Sequence, residues 1–508
     1  MVLRKIAAKR RAKVKGELYQ KALHDIKSDR KRFLSIRECC ELLGVDPITV
    51  KLPQDASIED VFTCICAWDY YLIPGCLYAA LPLYANLSPE TAMQRGAKVL
   101  LTDKQEQEYP CIIVPDVMAA YCKLCGYIRE QANFKTIAVT GSVGKTTTKD
   151  MVKSVFIQGY KTFCDVENNN MATLVGYLVQ HIPNGTEAYI QEVHEGDPGS
   201  AESISKIIHP HVAVITNIGE SHLGNFGSYE GLVKGVTDIT AAMPKNGIVV
   251  IDGDDVPSVT APWDKKVIRV SVKDHTADYY ADIIQITENG LVFDIVYSGG
   301  RIEAVLHMYG AHNVTDALLA FAAGIESGLT AEQAVQGLKS YAPKGMRQNV
   351  VRAGNRLLYI DCFNAAVKSM KTALETLGEL PVKQGGKRIA VLGDMAELGV
   401  DSKAMHRKVG EIAAASNLDT LICYGPLSSG MAEEARKSSK LKVFHTESMT
   451  ELNRLVKEQV GSNDAVLFKA SHSTNLIATV KANYPWTYFK AIYIDRLQRH
   501  FARTSSLK

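Results

Sequence analysis

Residues 140–147 of this chain read Thr-Gly-Ser-Val-Gly-Lys-Thr-Thr, a pattern that few folds can accommodate. Residues 135–140 have the apolar character of a buried strand, and residues 145–158 have a helical pattern. A glycine turn between a strand and a helix directs backbone N–H groups and the positive helix end toward an anion. The segment therefore predicts nucleotide phosphate binding, although the strict pattern has a glycine where this chain has Val139.

Each residue type in this loop suits a bound nucleotide. Gly141 and Gly144 let the backbone approach a phosphate closely. Lys145 supplies positive charge to the terminal phosphates. The Thr146 hydroxyl is a hard oxygen ligand, which Mg²⁺ prefers. The remaining predicted ATP-binding positions of the loop are Ser142, Val143 and Thr147.

Two further polar residues follow predicted strands. Glu192 ends the predicted strand at residues 188–193, and His222 comes soon after the one at 211–217. Parallel sheets bind ligands beyond the carboxyl ends of their strands. We therefore predict that Glu192 holds Mg²⁺ and that His222 ligates or orients a second ion. A lone histidine at a strand end is more often structural, so that alternative stays open.

The chain has 508 residues, which is too long for one ordinary domain. An α/β fold with three domains is expected. A small mixed α/β amino-terminal substrate domain, of the UDP-binding type, is placed at residues 34–134, and a central P-loop domain with a parallel sheet at 135–346. A Rossmann-like, doubly wound domain at 347–490 is predicted because strands and helices alternate regularly there. Flanking them are an arm at 1–33 and a tail at 491–508.

The elements behind this assignment are read from apolar runs and their spacing. The predicted strands are residues 75–81, 98–102, 111–114, 135–140, 188–193, 211–217, 247–251, 388–393, 420–424, 442–445 and 465–469, with a strand-rich part at 265–308. The predicted helices are residues 89–95, 145–158, 313–327, 402–416, 428–438, 449–460 and 474–483.

Charge and cysteine usage narrow the function classes. A formal net charge of +3 gives no overall field that favours nucleic acid. The arm is strongly basic, so it is expected either to contact an acidic partner or to be a solvated helical extension. The eleven cysteines suit a reducing cytoplasm, and Cys122 and Cys125 are predicted to be buried thiols. No apolar stretch reaches the roughly 18 residues of a membrane span, so a cytoplasmic location is expected.

A series of ordered motifs resembles the Mur ligase family, and most closely its MurF branch, which joins D-alanyl-D-alanine to UDP-N-acetylmuramoyl-tripeptide. Residues 140–147 are similar to the family's phosphate loop, and residues 217–223 to the segment with its metal-site histidine. The other similar segments are residues 226–228, 310–318, 345–348, 361–365, 369–370, 391–399 with His406, and 469–472.

The resemblance implies an ATP-dependent, ADP-forming ligase that makes an amide bond through an acyl phosphate, in peptidoglycan and cell-wall synthesis. It implies ATP and Mg²⁺ as cofactors, a nucleotide-sugar peptide and a dipeptide amine as substrates, and a monomer. The implied catalytic residues are Lys145, Glu192, His222 and Arg347. The implied metal ligands are Thr146, Glu192 and His222. Beyond the loop, the implied ATP contacts are Asn313, Arg347 and Asp361.

The chain departs from the family pattern in places that bear on function. Val236 stands where the family has a lysine that becomes carbamylated, and Lys234 lies two residues earlier. Val236→Lys is expected to raise activity at low Mg²⁺ when bicarbonate is present. An arginine expected before Pro74-Gly75 is missing, an Asp-Gly-His run is absent at 84–87, and His472 replaces an arginine.

These departures keep other functions open. One is a related amide ligase with a different carboxylate and amine, which the altered first domain favours. Another is a catalytically degenerate ATP-binding scaffold, which Val236 favours. A simple P-loop ATPase or kinase is disfavoured by the third domain.

Overall fold

The structure, a computed structural model, describes residues 33–81, 87–104, 108–164, 169–219, 223–343, 345–396 and 401–488. The predicted tail, all but one residue of the predicted arm, and His222 lie outside these ranges. Contacts divide the described chain into two compact units. The first contains the residues up to Arg269 together with Ala322–Leu329, and the second contains Val270–Phe321 and the residues from Thr330 onward.

The first unit opens with a parallel sheet in the strand order β1-β2-β3-β4. Its strands are β1 (Ile65–Cys66), β2 (Cys76–Ala79), β3 (Ala97–Thr102) and β4 (Cys111–Ile113). Its helices are α1 (Ile36–Leu43), α2 (Pro89–Gln94) and α3 (Val117–Glu130), with a 3₁₀ turn at Pro47–Thr49. Ser35 and Glu38 begin α1 with a reciprocal capping box, which satisfies backbone N–H groups at the helix start.

The same unit contains a second set of parallel strands, in the order β9-β8-β5-β7-β6. They are β5 (Lys135–Thr140), β6 (Thr162–Cys164), β7 (Ala188–Glu192), β8 (Val212–Ile215) and β9 (Ile248–Asp252). The helices are α4 (Lys145–Phe156), α5 (Ala172–Val179), α6 (Ser200–Ile208), α7 (Leu223–Phe226), α8 (Tyr229–Thr237) and α9 (Val256–Thr260), with a 3₁₀ turn at Asp238–Thr240. Strands β7 and β8 are buried along their whole length, as expected where helices cover both faces of a parallel sheet.

The second unit begins with a strand-rich meander. Strand β10 (Lys266–Ser271) crosses the boundary between the units and pairs in parallel with β11 (Tyr279–Thr287). Strands β11, β12 (Gly290–Tyr297) and β13 (Gly300–Leu306) then pair antiparallel with one another in chain order. This meander is the strand-rich part predicted at 265–308. Helix α10 (His312–Glu326) follows and also crosses the boundary, and α11 (Ala331–Ser340) comes next.

The remainder of the second unit is a sheet in the order β14-β15-β19-β16-β17-β18. Its strands are β14 (Asn349–Ala353), β15 (Arg356–Asp361), β16 (Arg388–Gly393), β17 (Thr420–Tyr424), β18 (Lys442–Thr446) and β19 (Ala465–Lys469). Its helices are α12 (Val367–Glu379), α13 (Ser402–Ala415), α14 (Ser429–Ala435), α15 (Met449–Gln459), α16 (Ile477–Asn483) and α17 (Pro485–Tyr488), with a 3₁₀ turn at His472–Thr474.

The predicted α/β class is confirmed, with parallel sheets in the P-loop region and near the carboxyl end. The predicted strands at residues 388–393, 420–424 and 465–469 have the observed bounds. The sequence analysis does not predict β14 and β15. These two strands form an antiparallel hairpin, so β14 is an antiparallel strand at the edge of the sheet. The boundaries of the three predicted domains stay a prediction, since the contacts divide the chain differently. In the described part of the chain, no helix has the length and apolar character needed to cross a membrane.

All eleven cysteines are free and buried, which confirms the prediction for Cys122 and Cys125. Burial raises the pKa of the Cys122 thiol to about 12. Since the thiolate is the reactive form, we expect Cys122 in the native chain at pH 8 to react about 10³-fold more slowly with a disulfide reagent than free cysteine does.

Ellman's reagent added to the reduced native chain, with the labelled residues identified by mass spectrometry, checks this. The control is the same chain unfolded in urea, where we expect rapid reaction of all eleven thiols. Labelling of Cys122 within seconds in the native chain would contradict the burial.

Candidate nucleotide site

The predicted phosphate loop lies in the first unit, between the end of β5 and the start of α4. Gly141 has a φ of +125° and Gly144 a φ of +93°, values that side-chain-bearing residues rarely adopt. A Cβ atom on Gly141 would lie 2.3 Å from the Thr216 hydroxyl oxygen. Both glycines are therefore required by the backbone path, and Thr147 is buried in the first turn of α4.

Residues at the end of β8 hold the loop from one side. The Thr216 hydroxyl and the Asn217 amide donate hydrogen bonds of 2.7 and 2.8 Å to the Val143 carbonyl oxygen. The Ser142 N–H donates to the Asn217 carbonyl at 3.0 Å, and the Ser142 hydroxyl accepts from the Gly219 N–H at 2.8 Å. The loop therefore has a fixed shape before any ligand binds, which reduces the ordering cost of binding.

Lys145 is held in place by two acceptors. Its ammonium group lies 2.6 Å from the Gly141 carbonyl oxygen and 2.9 Å from Glu195 Oε1. Glu195 is 1% exposed, and its other carboxylate oxygen is buried with no hydrogen-bond partner among the described residues. The ammonium group is thus fixed at the loop, next to where a phosphate would bind. The sequence reading missed Glu195, although a second acidic residue three positions after Glu192 was a visible signal.

Thr146 and Glu192, the two predicted metal ligands that the structure describes, lie within hydrogen-bond distance of each other. The Thr146 hydroxyl lies 2.8 Å from Glu192 Oε2, and Asn170 Nδ2 donates to Glu192 Oε1 at 2.9 Å. Glu192 is 3% exposed at the end of β7. A carboxylate oxygen and a hydroxyl oxygen at this spacing suit Mg²⁺, which prefers hard oxygen ligands. The donor set therefore fits the implied ion, while the predicted ligand His222 lies outside the described residues.

The other predicted nucleotide contacts lie in the second unit. Asn313 is fully buried in α10, where its Nδ2 donates to the Tyr309 carbonyl at 2.6 Å and to Gln348 Oε1 at 2.9 Å. Gln348 Oε1 also accepts a 2.9 Å hydrogen bond from His312 Nε2, and Gln348 has a φ of +46°. Burial lowers the pKa of the His312 imidazole, so this ring is neutral at pH 7. The Asn313 Nδ2 group therefore donates to residues of its own unit. The Asn313 Oδ1 atom is buried and has no hydrogen-bond partner among the described residues.

Arg347 and Asp361 lie close to the same segment. The Asp361 carboxylate receives hydrogen bonds from Lys469 Nζ at 2.5 Å and from the Gln348 N–H at 3.3 Å. The Arg347 guanidinium lies 3.7 Å from the centre of the Phe363 ring, a cation–π arrangement. The resemblance of residues 469–472 to a family motif does not predict the ion pair between Lys469 and Asp361.

Val236 is a fully buried member of the apolar core of the first unit. Lys234, in the same helix, has a side chain that is 71% exposed and pairs with Asp238 at 2.8 Å. A lysine at position 236 would have to place its ammonium group in this core, so we expect Val236→Lys to lose stability and not to gain activity.

Val236→Lys is expected to destabilise the first unit by about 3 kcal/mol or more, because an ammonium group would lose its hydration inside the core. The shift of the thermal unfolding midpoint, followed by circular dichroism, measures this. Lys234→Gln is the matched control from the same helix and should change the midpoint little. An unchanged midpoint in Val236→Lys would show that the position opens to solvent.

Comparison with known proteins gives consistent matches over most of the chain. A family model described as the Mur ligase middle domain matches residues 139–324, and one described as the Mur ligase glutamate ligase domain matches residues 346–472. The UDP-N-acetylmuramoyl-tripeptide–D-alanyl-D-alanine ligase of Bacillus subtilis (strain 168) is 31% identical over 398 residues, which are 77% of this chain and 86% of the relative.

Two further matches extend this result. The ligase of the same name from Escherichia coli (strain K12) is 31% identical over 430 residues, covering 81% of this chain and 91% of the relative. The crystal structure of MurF from Acinetobacter baumannii superposes with a TM-score of 0.75 at 25% identity, covering 89% of this chain and 98% of the other.

Proposed function

Since this chain belongs to the Mur ligase family, we propose that it is a MurF-type ligase, which uses ATP to join D-alanyl-D-alanine to UDP-N-acetylmuramoyl-tripeptide. The products would be the extended nucleotide-linked peptide, ADP and phosphate. The reaction is a step in the synthesis of peptidoglycan precursors.

The arrangement of side chains at the phosphate loop gives this proposal its main support. Lys145 lies at the loop carbonyl of Gly141, and Thr146 lies 2.8 Å from the Glu192 carboxylate. Phosphoryl transfer depends mainly on positioning and on neutralising negative charge. The loop brings together the cation and the hard oxygen ligands that such a transfer needs.

Bound ATP would supply a phosphoryl group to the substrate carboxylate, giving an acyl phosphate that the amine can attack while phosphate leaves. Lys145 would neutralise charge on the terminal phosphates, and Arg347 is proposed to add to this. Thr146 and Glu192 would hold Mg²⁺, and Asn170 would keep the Glu192 carboxylate turned toward Thr146.

Several assignments remain predictions. They are the second-ion role of His222, the nucleotide contacts of Asn313 and Asp361, the cytoplasmic location, the monomeric state and an acidic partner for the amino-terminal arm.

Lys145 must also exchange partners for this role. In the described structure its ammonium group is paired with Glu195, and the pair is largely buried. A phosphate group carries more negative charge than one carboxylate and accepts several hydrogen bonds. We propose that binding of the nucleotide draws Lys145 away from Glu195 and toward the phosphates.

A second candidate is an amide ligase of the same family that takes a different carboxylate and amine. The segment before Pro74-Gly75 lacks the arginine of the family pattern. In the described structure, the Arg95 guanidinium lies 3.5 Å from the Asp69 carboxylate in this region. Arg95, which follows helix α2, thus lies close to this segment. An arginine at this different position favours altered recognition of the nucleotide-sugar.

Phosphate release from ATP separates these functions. The full chain is assayed with Mg²⁺, ATP and either UDP-N-acetylmuramoyl-tripeptide, D-alanyl-D-alanine or both, and products are identified by mass spectrometry. We expect release only with both substrates, together with a mass gain equal to the dipeptide minus water. Activity with another carboxylate and amine but not with this pair would favour the second candidate. ATP binding without turnover on any pair would instead favour a degenerate scaffold.

A further inference from the structure

Three cysteines of the first unit lie on adjacent strands in matching register. Strand β1 pairs with β2 so that Ile65 lies opposite Leu77 and Cys66 opposite Tyr78. The Leu77 N–H also donates to the carbonyl of Cys64, one residue before β1. Because side chains alternate between the two faces of a strand, Cys64, Cys66 and Cys76 all project from one face of the sheet.

Their sulfur atoms form a compact group. The three Sγ atoms all lie within 4.8 Å of one another, and each cysteine is at most 2% exposed. Three thiolates at the Zn–S distance of about 2.3 Å from one ion in tetrahedral geometry would be about 3.8 Å apart. Small side-chain adjustments would therefore bring the three sulfurs to ligating distances without moving the strands.

The thiols of this group differ in the direction of their pKa shifts. The pKa of the Cys66 thiol is raised well above its usual value by hydrogen bonding with Cys64 and Cys76, and burial adds to this. Hydrogen bonds from Cys64 and Cys66 lower the pKa of Cys76. A soft cation that bound the three sulfurs would displace the protons that they carry.

Two unpartnered hydroxyl groups accompany the sulfurs. Tyr78 and Tyr177 belong to the same apolar cluster as the three cysteines and are 0% and 2% exposed. Their hydroxyl groups are buried with no hydrogen-bond partner among the described residues. Buried polar groups in native proteins normally have a partner. A bound metal–thiolate group would place a strong hydrogen-bond acceptor in the cluster that contains both hydroxyls.

The other buried cysteines differ from this group. Among the described residues, these three form the one set of histidine, cysteine or acidic side chains with its ligand atoms close enough to share a metal ion. Cys111 packs in the same apolar cluster, but its thiol donates to the Tyr109 carbonyl. Cys362 likewise donates to the Phe468 carbonyl. Ordinary packing of cysteine as a small apolar residue accounts for those two, but it gives no reason for three sulfurs within 4.8 Å of one another.

We propose that Cys64, Cys66 and Cys76 form a buried three-thiolate site for a thiophilic d¹⁰ cation, Cu(I) or Zn(II). Thiolate sulfur is a soft ligand, and soft ligands select these ions over Mg²⁺. The absence of a fourth protein ligand within the described group favours Cu(I), since structural Zn(II) sites almost always have four ligands. A bound ion would link β1 to β2 and so rigidify the first sheet, separately from the proposed ligase chemistry.

Metal binding to the reduced full-length chain tests the proposal. The chain is stripped with a chelator under anaerobic conditions, incubated with Zn(II) alone or Cu(I) alone, desalted and measured by elemental analysis. We expect one equivalent of at least one of the two ions per chain to survive desalting. The identity of the retained ion distinguishes Cu(I) from Zn(II). Retention of neither ion would overturn the proposal.

Substitutions locate the bound ion. Cys76→Ala should weaken binding of the retained ion by more than about 100-fold, since it removes one of three ligands. Cys111→Ala, which removes a buried thiol from the same apolar cluster, should leave binding unchanged. Equal affinity in Cys76→Ala and the unaltered chain would place the ion elsewhere and contradict the site.

A spectroscopic measurement avoids dependence on the folding of a variant. If the chain retains Zn(II), Co(II) added to the stripped, unaltered chain should produce thiolate-to-cobalt charge-transfer absorption in the near ultraviolet, with an intensity that corresponds to three sulfur ligands. In that case, absence of this absorption would overturn the assignment. For either ion, a disulfide among the three cysteines in the anaerobically prepared chain would also overturn it.

Discussion

Replacing Lys145 by alanine is expected to lower the rate of ATP-dependent product formation by about 10²–10³-fold or more. The ammonium group lies at the phosphate loop, 2.6 Å from the Gly141 carbonyl. Negative charge that shifts during phosphoryl transfer is stabilised by fixed cations, and alanine removes the one that the loop supplies. Initial rates of phosphate release with saturating substrates measure the effect.

The design must separate chemistry from folding, because Lys145 is also the partner of Glu195. Removing the lysine alone leaves a buried carboxylate without its counter-charge, which costs about 3–5 kcal/mol of stability. The double variant Lys145→Ala with Glu195→Gln neutralises that carboxylate and should regain much of the lost stability, yet stay inactive. Lys153→Ala, from the last turn of the same helix α4, is the control and should retain activity. A double variant with an unchanged rate would refute the assignment of the phosphate loop.

Lys469→Met is expected to destabilise the second unit by about 3–5 kcal/mol, because it breaks a buried ion pair and leaves one charge behind. The Lys469 side chain is 2% exposed and that of Asp361 is 13% exposed, with their charged atoms 2.5 Å apart. Lys469 also donates to the Asn364 carbonyl at 2.9 Å, so the substitution removes a second hydrogen bond. The midpoint of urea unfolding, followed by circular dichroism, reports the loss.

The double variant Lys469→Met with Asp361→Asn distinguishes an ion-pair effect from a packing effect. Removal of both charges should be much less destabilising than removal of one, since no unpaired charge stays buried. If both variants unfold at the same urea concentration, the loss comes from packing of the lysine side chain alone. Lys368→Met, which replaces a lysine near the start of α12, serves as the control for a surface charge.

The local elements followed from the sequence because their causes are local. Residues 140–147 combine a buried strand, two glycines and a helix start, and the structure has the strand and helix at these positions. The alternation of strands and helices from residue 388 onward likewise predicted parallel strands correctly. The missed hairpin of β14 and β15 depends on pairing along the edge of a sheet, for which the sequence contains no strong local pattern.

The partners of the candidate site residues depended on contacts between distant positions. Asn170 reaches Glu192 across 22 positions, and Lys145 reaches Glu195 across 50. Lys469 meets Asp361 across 108 positions because β15 and β19 are adjacent parallel strands. Sequence spacing does not encode such pairings, which are set by the order in which strands enter a sheet.

The cysteines show the same division between sequence and tertiary structure. The C-x-x-C spacing identifies Cys122 and Cys125, which are buried thiols. It does not identify the group formed by Cys64, Cys66 and Cys76. The glycine turn between strand and helix, the α/β class and the family resemblance can all be read from the sequence, because they rest on local patterns of residue type. The burial of Val236, the pairing of Glu195 with Lys145 and the shared sheet face of three cysteines become visible only in the folded chain. Each of these depends on strand register and burial, which bring together residues that are distant in sequence.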